Sequence, residues 1–349
     1  MRIGIFLAYW PWFSPEEQVE LAVLADELGL DSVWVSEAWG QDAVSVLGLL
    51  AARTERVGLG SGLMQIPARQ PAAAAMAAAT LDVLSGGRFR LGLGVSGPQV
   101  SEGWYGVPFA RPLRRTREYV EIVRAILARE APLEYQGEEW TLPLPEGAGT
   151  GLGKPLRLLA RPVQERIPIY LGAIGPRAVR QVGELADGWL PFMFTPRAPD
   201  VLLDPLREGA EAAGRSPADV DIAPVVPVAV DEDLAAARDA ARPWLAFYLG
   251  AMGAPEKNFY VDLAERYGFG APARACQERF LAGDRAGAVA EIPDDLVDFG
   301  AIATTPDRLA DRLAEYEAAG ATTLVAVPSG DRAATVGLIA RAATSQRVG

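Results

Sequence analysis

Short apolar runs alternate with longer amphipathic segments along most of the 349-residue chain. The first such pair is an apolar run at residues 2–8 and a helix that Ser14 would cap, with Pro15 in its first turn. Apolar runs of this length predict buried strands, and the segments between them predict the helical crossovers of repeated βα units. The predicted strands are residues 2–8, 32–36, 57–62, 89–93, 168–171, 188–192, 221–230 and 323–327.

Eight predicted parallel strands favour a (β/α)8 TIM barrel of the α/β class over an open, doubly wound sheet. A doubly wound sheet would show a glycine-rich dinucleotide fingerprint after its first strand, whereas residues 9–13 here are Tyr-Trp-Pro-Trp-Phe. Two segments are longer than ordinary connections, the proline- and glycine-rich residues 131–164 and the helical residues 231–281. The sequence therefore predicts one barrel domain over residues 1–349, with insertions after the fourth and seventh strands.

Charge and composition limit the partners and the chemistry. The formal net charge of −12 argues against nucleic acid or an anionic membrane as a partner, so a small-molecule substrate is expected. The sequence has no histidine, which excludes His-dependent triads and His-ligated metals, and no metal site is predicted. The single cysteine, Cys276, has no disulfide partner. A strand pattern at the first residues, with no apolar run of membrane-spanning length, predicts a cytoplasmic protein.

Two glycine-rich loops would lie where a barrel places its active site, at the carboxyl ends of the strands. One is residues 94–98, where glycine lets the backbone approach a ligand, although a tight structural turn has the same sequence. The other is residues 172–177, where Pro176 would begin a helix whose free N–H groups and positive end face a phosphate. Arg177 would add a positive charge. Together the two loops predict a binding site for a phosphate-bearing cofactor.

Aromatic residues are concentrated on the same strand-end loops. Scattered aromatic residues usually serve core or lid packing, so packing and ligand contact are both open for each of them. As a group they indicate a flat, apolar ligand. Those predicted to contact the substrate are Trp10, Trp12, Trp39 and Trp104.

Several short motifs resemble the bacterial luciferase-like superfamily, and more closely its branch of oxidoreductases that use the deazaflavin coenzyme F420. They lie at residues 33–37, at 60–65 with 67–71, at 84–94, and at 172–176 with 183–188. The resemblance implies a non-prolyl cis peptide at Gly62-Leu63, in a bulge against which the deazaflavin ring leans. It also implies that the loops after the fourth and fifth strands hold the cofactor phosphate. The residues predicted to bind the cofactor are Glu37, Gly62, Leu63, Gln65, Val95, Ser96, Gly97, Pro98, Gly172, Ala173, Ile174, Gly175, Pro176 and Arg177.

The chain departs from the superfamily pattern at two positions. Members that oxidise alcohols or sugar phosphates carry a histidine where this chain has Ala38, and several carry a glutamate where it has Pro98. Without that pair, a hydroxyl substrate has no base to take its proton. The resemblance therefore implies a reductase, similar in mechanism to the methylene-tetrahydromethanopterin reductases.

The predicted activity is hydride transfer from F420 to an unsaturated C=C, C=N or iminium carbon, and most such reductions need a proton donor. Glu37 is the first candidate donor, because a carboxyl group partly buried by Trp39 and the cofactor can retain a proton; Tyr105 and Glu102 follow. Alternatively, Glu37 accepts hydrogen bonds from cofactor hydroxyl groups. The alternative functions are an FMN-dependent monooxygenase and a non-catalytic flavin-binding subunit. A homodimer is expected from the resemblance.

Overall fold

The computed structural model describes residues 1–10, 12–254 and 256–346, and Pro11 of the loop after the first strand lies outside this part of the chain. The strands are β1 (Arg2–Leu7), β2 (Ser32–Val35), β3 (Gly58–Ser61), β4 (Met64–Gln65), β5 (Phe89–Gly94), β6 (Tyr135–Gln136), β7 (Thr141–Leu142), β8 (Ile169–Leu171), β9 (Gly188–Trp189), β10 (Asp221–Ile222), β11 (Val225–Val230), β12 (Ile302–Thr304) and β13 (Thr323–Pro328). The helices are α1 (Pro15–Glu27), α2 (Ala43–Ala51), α3 (Pro71–Leu84), α4 (Pro98–Gly103), α5 (Pro112–Ala128), α6 (Pro176–Leu185), α7 (Asp200–Ala212), α8 (Leu234–Ala251), α9 (Phe259–Arg266), α10 (Gly270–Leu281), α11 (Arg285–Ala290), α12 (Asp294–Gly300), α13 (Leu309–Ala318) and α14 (Arg332–Gln346). None of these helices is long and apolar enough to cross a membrane.

The parallel strands form a ring in the order β1, β2, β3, β5, β8, β9, β10 with β11, and β13, which returns to β1. The seventh position holds β10 and β11, two pieces of one strand that Ala223 and Pro224 interrupt. β10 pairs with β9, and β11 pairs with β13. The N–H of Val225 donates to the carbonyl oxygen of Pro191 (2.9 Å), which closes the ring. The predicted (β/α)8 TIM barrel is therefore confirmed.

Local sequence signals explain where the elements begin and end. Ser14 caps α1, because its hydroxyl group accepts a hydrogen bond from the N–H of Glu17 (3.1 Å). α3 and α6 both begin at a proline, Pro71 and Pro176, and both span the predicted residues. The sixth barrel strand has a short ladder at β9, and Pro191, which lacks an N–H, follows two residues later.

Both predicted insertions are present. After β5 the chain adds α4, α5 and the hairpin of β6 and β7, in which Tyr135 pairs with Leu142. After β11, helices α8 to α12 lead to β12, which pairs with the end of β11. The short elements α4, α11, α12, β4 and β12 were not predicted from the sequence. The three helices have six or seven residues and the two strands have two or three, which is too few for a periodic pattern.

Large side chains fill the interior of the barrel. The buried indole of Trp34 packs edge-on against Tyr170, with a distance of 4.8 Å between the ring centroids. A Cβ atom at Gly60 would overlap the Trp34 ring, and one at Gly188 would overlap the Tyr170 ring. Because the interior is a packed core, a ligand of this barrel must bind at an end of the strands.

Candidate functional site

A cavity of about 570 Å³ opens at the carboxyl ends of the barrel strands. The loops after β1, β2, β3, β5, β8 and β9 contribute to its wall, as do α8 and α9. Active sites of TIM barrels lie at this end. The predicted site residues that line the cavity are Glu37, Trp39, Gly62, Leu63, Gln65, Val95, Ser96, Gly97, Gly172, Ala173, Ile174, Gly175, Pro176 and Arg177.

Leu63 packs between the ends of two neighbouring strands. A Cβ atom on Gly94, at the end of β5, would lie 2.9 Å from Cδ1 of Leu63, and a Cβ atom on Gly172, after β8, would overlap the same atom. The peptide bond between Gly62 and Leu63 is cis. Gly94 and Gly172 thus make room for the leucine side chain, a packing role that the sequence analysis did not predict.

The start of α6 faces the cavity. Gly175 is its N-cap residue, and in the described part of the chain no side chain caps the helix, so the N–H groups of Arg177 and Ala178 lack a side-chain partner. Gly175, Arg177 and Ala178 all line the cavity. Arg266 of α9 donates to the carbonyl oxygen of Ile174 (2.9 Å), which ties the loop to α9. An uncapped helix start with the cationic side chains of Arg177 and Arg266 nearby favours the binding of an anionic group such as a phosphate.

Among the described residues, three other than glycine adopt the left-handed conformation in loops that follow barrel strands. They are Ala38 after β2 (φ 43°), Ser96 after β5 (φ 62°) and Met193 after β9 (φ 58°). This conformation is unfavourable for residues with a Cβ atom, and such residues cluster at functional sites. Ala38 and Ser96 line the cavity, so the backbone around it is held in a shape that local preference alone would not give.

Both carboxylate oxygens of the buried Glu37 are paired. Arg69 contacts Oε2 at 2.8 Å and Oε1 at 2.6 Å, and the N–H of Gln65 donates to Oε2 (2.8 Å). Arg69 also pairs with Asp42. Burial alone would lower the pKa of Arg69, but Glu37 and Asp42 outweigh burial and raise that pKa. These contacts support a carboxylate that joins the loops after β2 and β3, and they do not support Glu37 as a proton donor.

Gln65 carries a buried acceptor at the cavity wall. Its side-chain nitrogen donates to the carbonyl oxygen of Ala38 (2.5 Å) and lies 3.4 Å from the hydroxyl oxygen of Tyr105, which fixes the orientation of the amide. Among the described residues, the side-chain oxygens of Gln65 and Gln99 have no hydrogen-bond partner. An unpaired buried acceptor is unfavourable, so a donor on a bound molecule would stabilise this wall.

Six of the predicted residues lie outside the cavity lining. Of the four predicted substrate-contacting tryptophans, only Trp39 lines the cavity, while Trp12 packs edge-on against Phe247 at 4.6 Å between ring centroids. Burial, followed by the charge of Glu37, raises the pKa of the Tyr105 hydroxyl group. The exposed Glu102 accepts a hydrogen bond from the N–H of Phe109 (2.9 Å). The six are Trp10, Trp12, Pro98, Glu102, Trp104 and Tyr105.

An aromatic wall of the cavity is formed by Phe192, Tyr248 and Tyr260, which are not among the predicted site residues. The rings of Phe192 and Tyr248 stack at 3.9 Å, and Tyr260 packs edge-on against Tyr248 at 5.0 Å. Lys257 adds a cation to the same cavity. Tyr248 and Tyr260 belong to α8 and α9. The helical pattern of residues 231–281 does not indicate that these two helices pack over the carboxyl end of the barrel. The cluster Trp-Leu-Ala-Phe-Tyr at residues 244–248 was the available signal.

Two phenol groups meet at the cavity wall. The hydroxyl oxygens of Tyr9 and Tyr248 lie 3.2 Å apart. Burial raises the pKa of Tyr9 to about 12, although the hydrogen bond with Tyr248 lowers it. Burial, and then the neighbouring Tyr9, raise the pKa of Tyr248 well above its ordinary value. Both phenols are therefore protonated near neutral pH and serve as hydrogen-bond donors.

Comparison with known proteins places this site in a family. Residues 1–323 match the luciferase-like monooxygenase family. The chain is 44% identical over 327 residues to a proposed coenzyme F420-dependent oxidoreductase of Mycobacterium tuberculosis, which covers 93% of this chain and 94% of the relative. It is 32% identical over 333 residues to the 5,10-methylenetetrahydromethanopterin reductase of Archaeoglobus fulgidus, covering 93% of each. The coenzyme F420-dependent tetrahydromethanopterin reductase of Methanopyrus kandleri has a similar structure, with a TM-score of 0.84, 28% identity and 99% coverage of both chains. The chain therefore belongs to the luciferase-like monooxygenase family, as its strand-end motifs indicated.

Proposed function

We propose that this protein is an oxidoreductase that uses coenzyme F420 to transfer a hydride to an unsaturated C=C, C=N or iminium carbon of a small molecule. The uncapped start of α6 carries the proposal, because Gly175 and Arg177 face the same cavity as Leu63. The two relatives whose names refer to F420 or to methylenetetrahydromethanopterin reduction each match 93% of the chain, which supports the choice of a deazaflavin.

The residues around the cavity fit a phosphate-bearing deazaflavin. The first turn of α6, with Arg177, would hold the phosphate. The unpaired side-chain oxygen of Gln65 would accept a hydrogen bond from an N–H of the ring system. Leu63, fixed between Gly94 and Gly172, offers the ring an apolar surface. The ligand thus has a partner for each of these groups: an anion for the start of α6, an N–H donor for Gln65 and a flat ring for Leu63.

Coenzyme F420, when bound, supplies a hydride at C5 of the deazaflavin ring. The protein holds and orients the reactants. Leu63 and the start of α6 would fix the cofactor at two places, which sets the position of the reacting carbon. The aromatic wall of Phe192, Tyr248 and Tyr260 gives one side of the cavity an apolar surface, beside which polar contacts with a ligand would be stronger than in water.

The groups at the cavity favour reduction over alcohol oxidation. Oxidation of a hydroxyl group needs a base near the substrate. Ala38 lines the cavity where alcohol-oxidising relatives would carry a histidine, and Glu37 is occupied by Arg69. The phenols of Tyr9 and Tyr248 are protonated and act as donors. A reaction that gains a proton on the substrate suits this set of groups better than one that removes a proton.

Parallel titrations of the purified protein with F420 and FMN test the proposal. We expect F420 to bind, with quenching of its fluorescence, and reduced F420 to be oxidised when enone, imine or folate-like acceptors are added. Oxidised F420 with glucose 6-phosphate or 2-propanol should give no turnover. Tight binding of FMN with oxygen consumption would instead favour the monooxygenase alternative. Binding of F420 without turnover of any acceptor would favour the non-catalytic subunit.

Three further expectations belong to this proposal. Residues 1–349 act as one domain, the protein forms a homodimer, and it works in the cytoplasm. Size-exclusion chromatography with light scattering tests the homodimer, for which a monomeric mass would be the contrary result.

A further inference from the structure

The hydroxyl pair of Tyr9 and Tyr248 has one donor to spare. The two oxygens are 3.2 Å apart, so one O–H of the pair points to the other oxygen. Neither hydroxyl group has another hydrogen bond within the part of the chain that the structure describes. A phenol carries one O–H donor, so two phenols joined by one hydrogen bond leave one O–H free. Both residues line the cavity, so a ligand bound there is the candidate acceptor for the free O–H.

The pair lies beside the predicted position of the reacting ring and across the barrel from the start of α6. Tyr9 follows β1, the first strand of the ring, whereas Gly175 follows β8, the fifth strand. Phe6 of β1 contacts the bulge, since a Cβ atom on Gly62 would lie 2.6 Å from Cε2 of Phe6. The Phe6 ring packs edge-on against Trp244, which in turn packs against both Tyr9 and Tyr248. A molecule that contacts the pair would therefore lie at the end of the cavity away from the phosphate-binding loop.

Both phenols are held in an apolar environment that keeps them protonated. Tyr9 stacks on Trp244 at 6.1 Å between ring centroids, and Phe192 stacks on Tyr248 at 3.9 Å. Burial raises the pKa of both hydroxyl groups. In such surroundings a hydrogen bond to a negatively charged oxygen is stronger than in water.

We infer that the Tyr9–Tyr248 pair binds the carbonyl oxygen of a conjugated carbonyl substrate, an α,β-unsaturated ketone or aldehyde. The inference rests on the proposed function and narrows its substrate class. An iminium nitrogen has no lone pair to accept a hydrogen bond, so a free donor at this wall does nothing for an iminium substrate. A carbonyl oxygen accepts the O–H, and its negative charge grows as the β-carbon receives the hydride.

The reaction balances with reduced F420 as the two-electron donor. One C–H bond breaks at the deazaflavin, and one forms at the β-carbon of the substrate. The electron pair of the C=C bond moves into the enolate, whose oxygen accepts the hydrogen bond from the tyrosine pair. A proton from water then adds to the α-carbon to give the saturated carbonyl compound, and the second proton of the reduced cofactor passes to water.

The test uses 4-(dimethylamino)cinnamaldehyde, whose visible absorption shifts to the red when its carbonyl oxygen accepts a hydrogen bond. The probe is added to the protein alone and to the protein with oxidised F420, where no reduction takes place. We expect a red shift in both samples, and its loss in the double variant Tyr9→Phe with Tyr248→Phe. Tyr316→Phe is the matched control, because Tyr316 is buried with an unpaired hydroxyl group among the described residues and lies outside the cavity lining.

The same variants separate the substrate classes in turnover. For a cyclic enone with reduced F420, kcat/KM of the double variant should fall about 100-fold, the usual effect of removing a donor to a developing oxyanion. An iminium acceptor should show no such loss. A red shift that survives in the double variant, or one that disappears when oxidised F420 is added to the wild-type protein, would overturn the inference. Failure of F420 to bind would instead overturn the proposed function.

If the double variant fails to fold, vibrational spectroscopy of the wild-type protein decides the same question. The carbonyl stretch of the ¹³C-labelled probe should lie at a lower frequency when bound than in an apolar solvent. A bound frequency equal to that in the apolar solvent would show a carbonyl oxygen without a donor and would contradict the inference.

Discussion

The side chain of Leu63 occupies the space into which a Cβ atom on Gly172 would project. Gly94 of β5 approaches the same side chain, where an added Cβ atom would lie 2.9 Å from Cδ1. The loop after β3 and the ends of two further strands therefore interlock through one leucine. Because Leu63 also lines the cavity, the residue at position 172 controls the shape of the proposed ring-binding surface.

Gly172→Ala should displace Leu63 and weaken the binding of F420. Overpacking of this kind costs about 1–3 kcal/mol, and a displaced leucine that obstructs the ring carries this cost into binding, so we expect a loss of affinity of about 5- to 150-fold. Fluorescence titration with F420 measures the affinity of each variant. In a Leu63→Ala background the overlap is absent, so Gly172→Ala should cause little further loss of affinity there.

Gly48→Ala is the control for this series. Gly48 lies inside α2, where an added Cβ atom meets nothing within 4 Å, so the variant should keep its affinity for F420. It should also gain about 0.5–1 kcal/mol in the free energy of unfolding, because alanine favours a helix more than glycine does. Wild-type affinity in Gly172→Ala would contradict the proposed place of Leu63 in the cofactor site.

Glu37→Gln should reduce the stability of the protein. The substitution leaves Arg69 without its buried counter-charge, and breaking a pair of this kind costs on the order of 3 kcal/mol. Urea denaturation at neutral pH measures the free energy of unfolding. Turnover should fall only to the extent that the substitution displaces the loops after β2 and β3.

Asp42→Asn provides a matched comparison for Glu37→Gln. Asp42 pairs with the same arginine at a more exposed position, where a salt bridge contributes about 0–1 kcal/mol, and asparagine still caps α2. Its free energy of unfolding should therefore change little. A Glu37→Gln variant that is as stable as Asp42→Asn, binds F420 normally and yet loses turnover would revive Glu37 as the proton donor.

Sequence pattern alone predicted the barrel and the loops that position the site. The evidence was local in each case: Pro71 and Pro176 mark helix starts, and short apolar runs mark the strands that carry the loops after β5 and β8. In a barrel, every loop after a strand reaches the same end, so knowing the strands is enough to bring these loops together. Gly175 and Arg177 could be placed at the cavity for this reason.

Contacts between distant residues could not be predicted in the same way. Tyr9 and Tyr248 are 239 positions apart, and Arg69 follows Glu37 by 32 positions, so only the fold brings each pair together. The predicted acid role of Glu37 depended on neighbours that the sequence did not identify. Trp104 was predicted to contact the substrate from its place on a strand-end loop, but its side chain is exposed. The position of a residue in such a loop does not determine which way its side chain points.

The stability of the protein should fall as the pH rises above about 10, in part through Tyr9. Burial raises the pKa of Tyr9 to about 12 in the folded protein, while the unfolded chain ionises near pH 10. Its contribution is fully present below about pH 10 and is lost as the pH rises through the folded pKa. Between these values the unfolded state binds fewer protons, so the free energy of unfolding falls by at most ~1.4 kcal/mol per pH unit for this group.

Tyr9→Phe should make that decline with pH less steep. Urea unfolding at several values between about pH 9 and pH 11 gives the slope for the variant and for the wild-type protein. Parallel slopes would mean that the Tyr9 phenol ionises equally easily in the folded and the unfolded states, and would contradict its burial in an apolar wall.

Gly175→Asp should weaken cofactor binding while stabilising the protein. Gly175 is the N-cap residue of α6 at φ −79°, and an added Cβ atom there meets nothing within 4 Å, so aspartate fits without strain. Its carboxylate would accept hydrogen bonds from the first turn of the helix and interact favourably with the helix dipole, a gain of up to about 1 kcal/mol. The same carboxylate would take the N–H groups that we assign to the phosphate and would repel it, so F420 affinity should fall more than about tenfold.

Two comparisons identify the phosphate as the group that Gly175→Asp excludes. A phosphate-free ribityl deazaflavin, which has the same ring system, should bind the variant and the wild-type protein equally well. Gly175→Asn caps the helix without a charge, so its affinity for F420 should lie between those of Gly175→Asp and the wild-type protein. Equal losses of affinity for F420 and for the phosphate-free ligand would mean that the α6 loop contacts the ring, and the phosphate would then belong to the loop of Ser96 and Gly97 after β5.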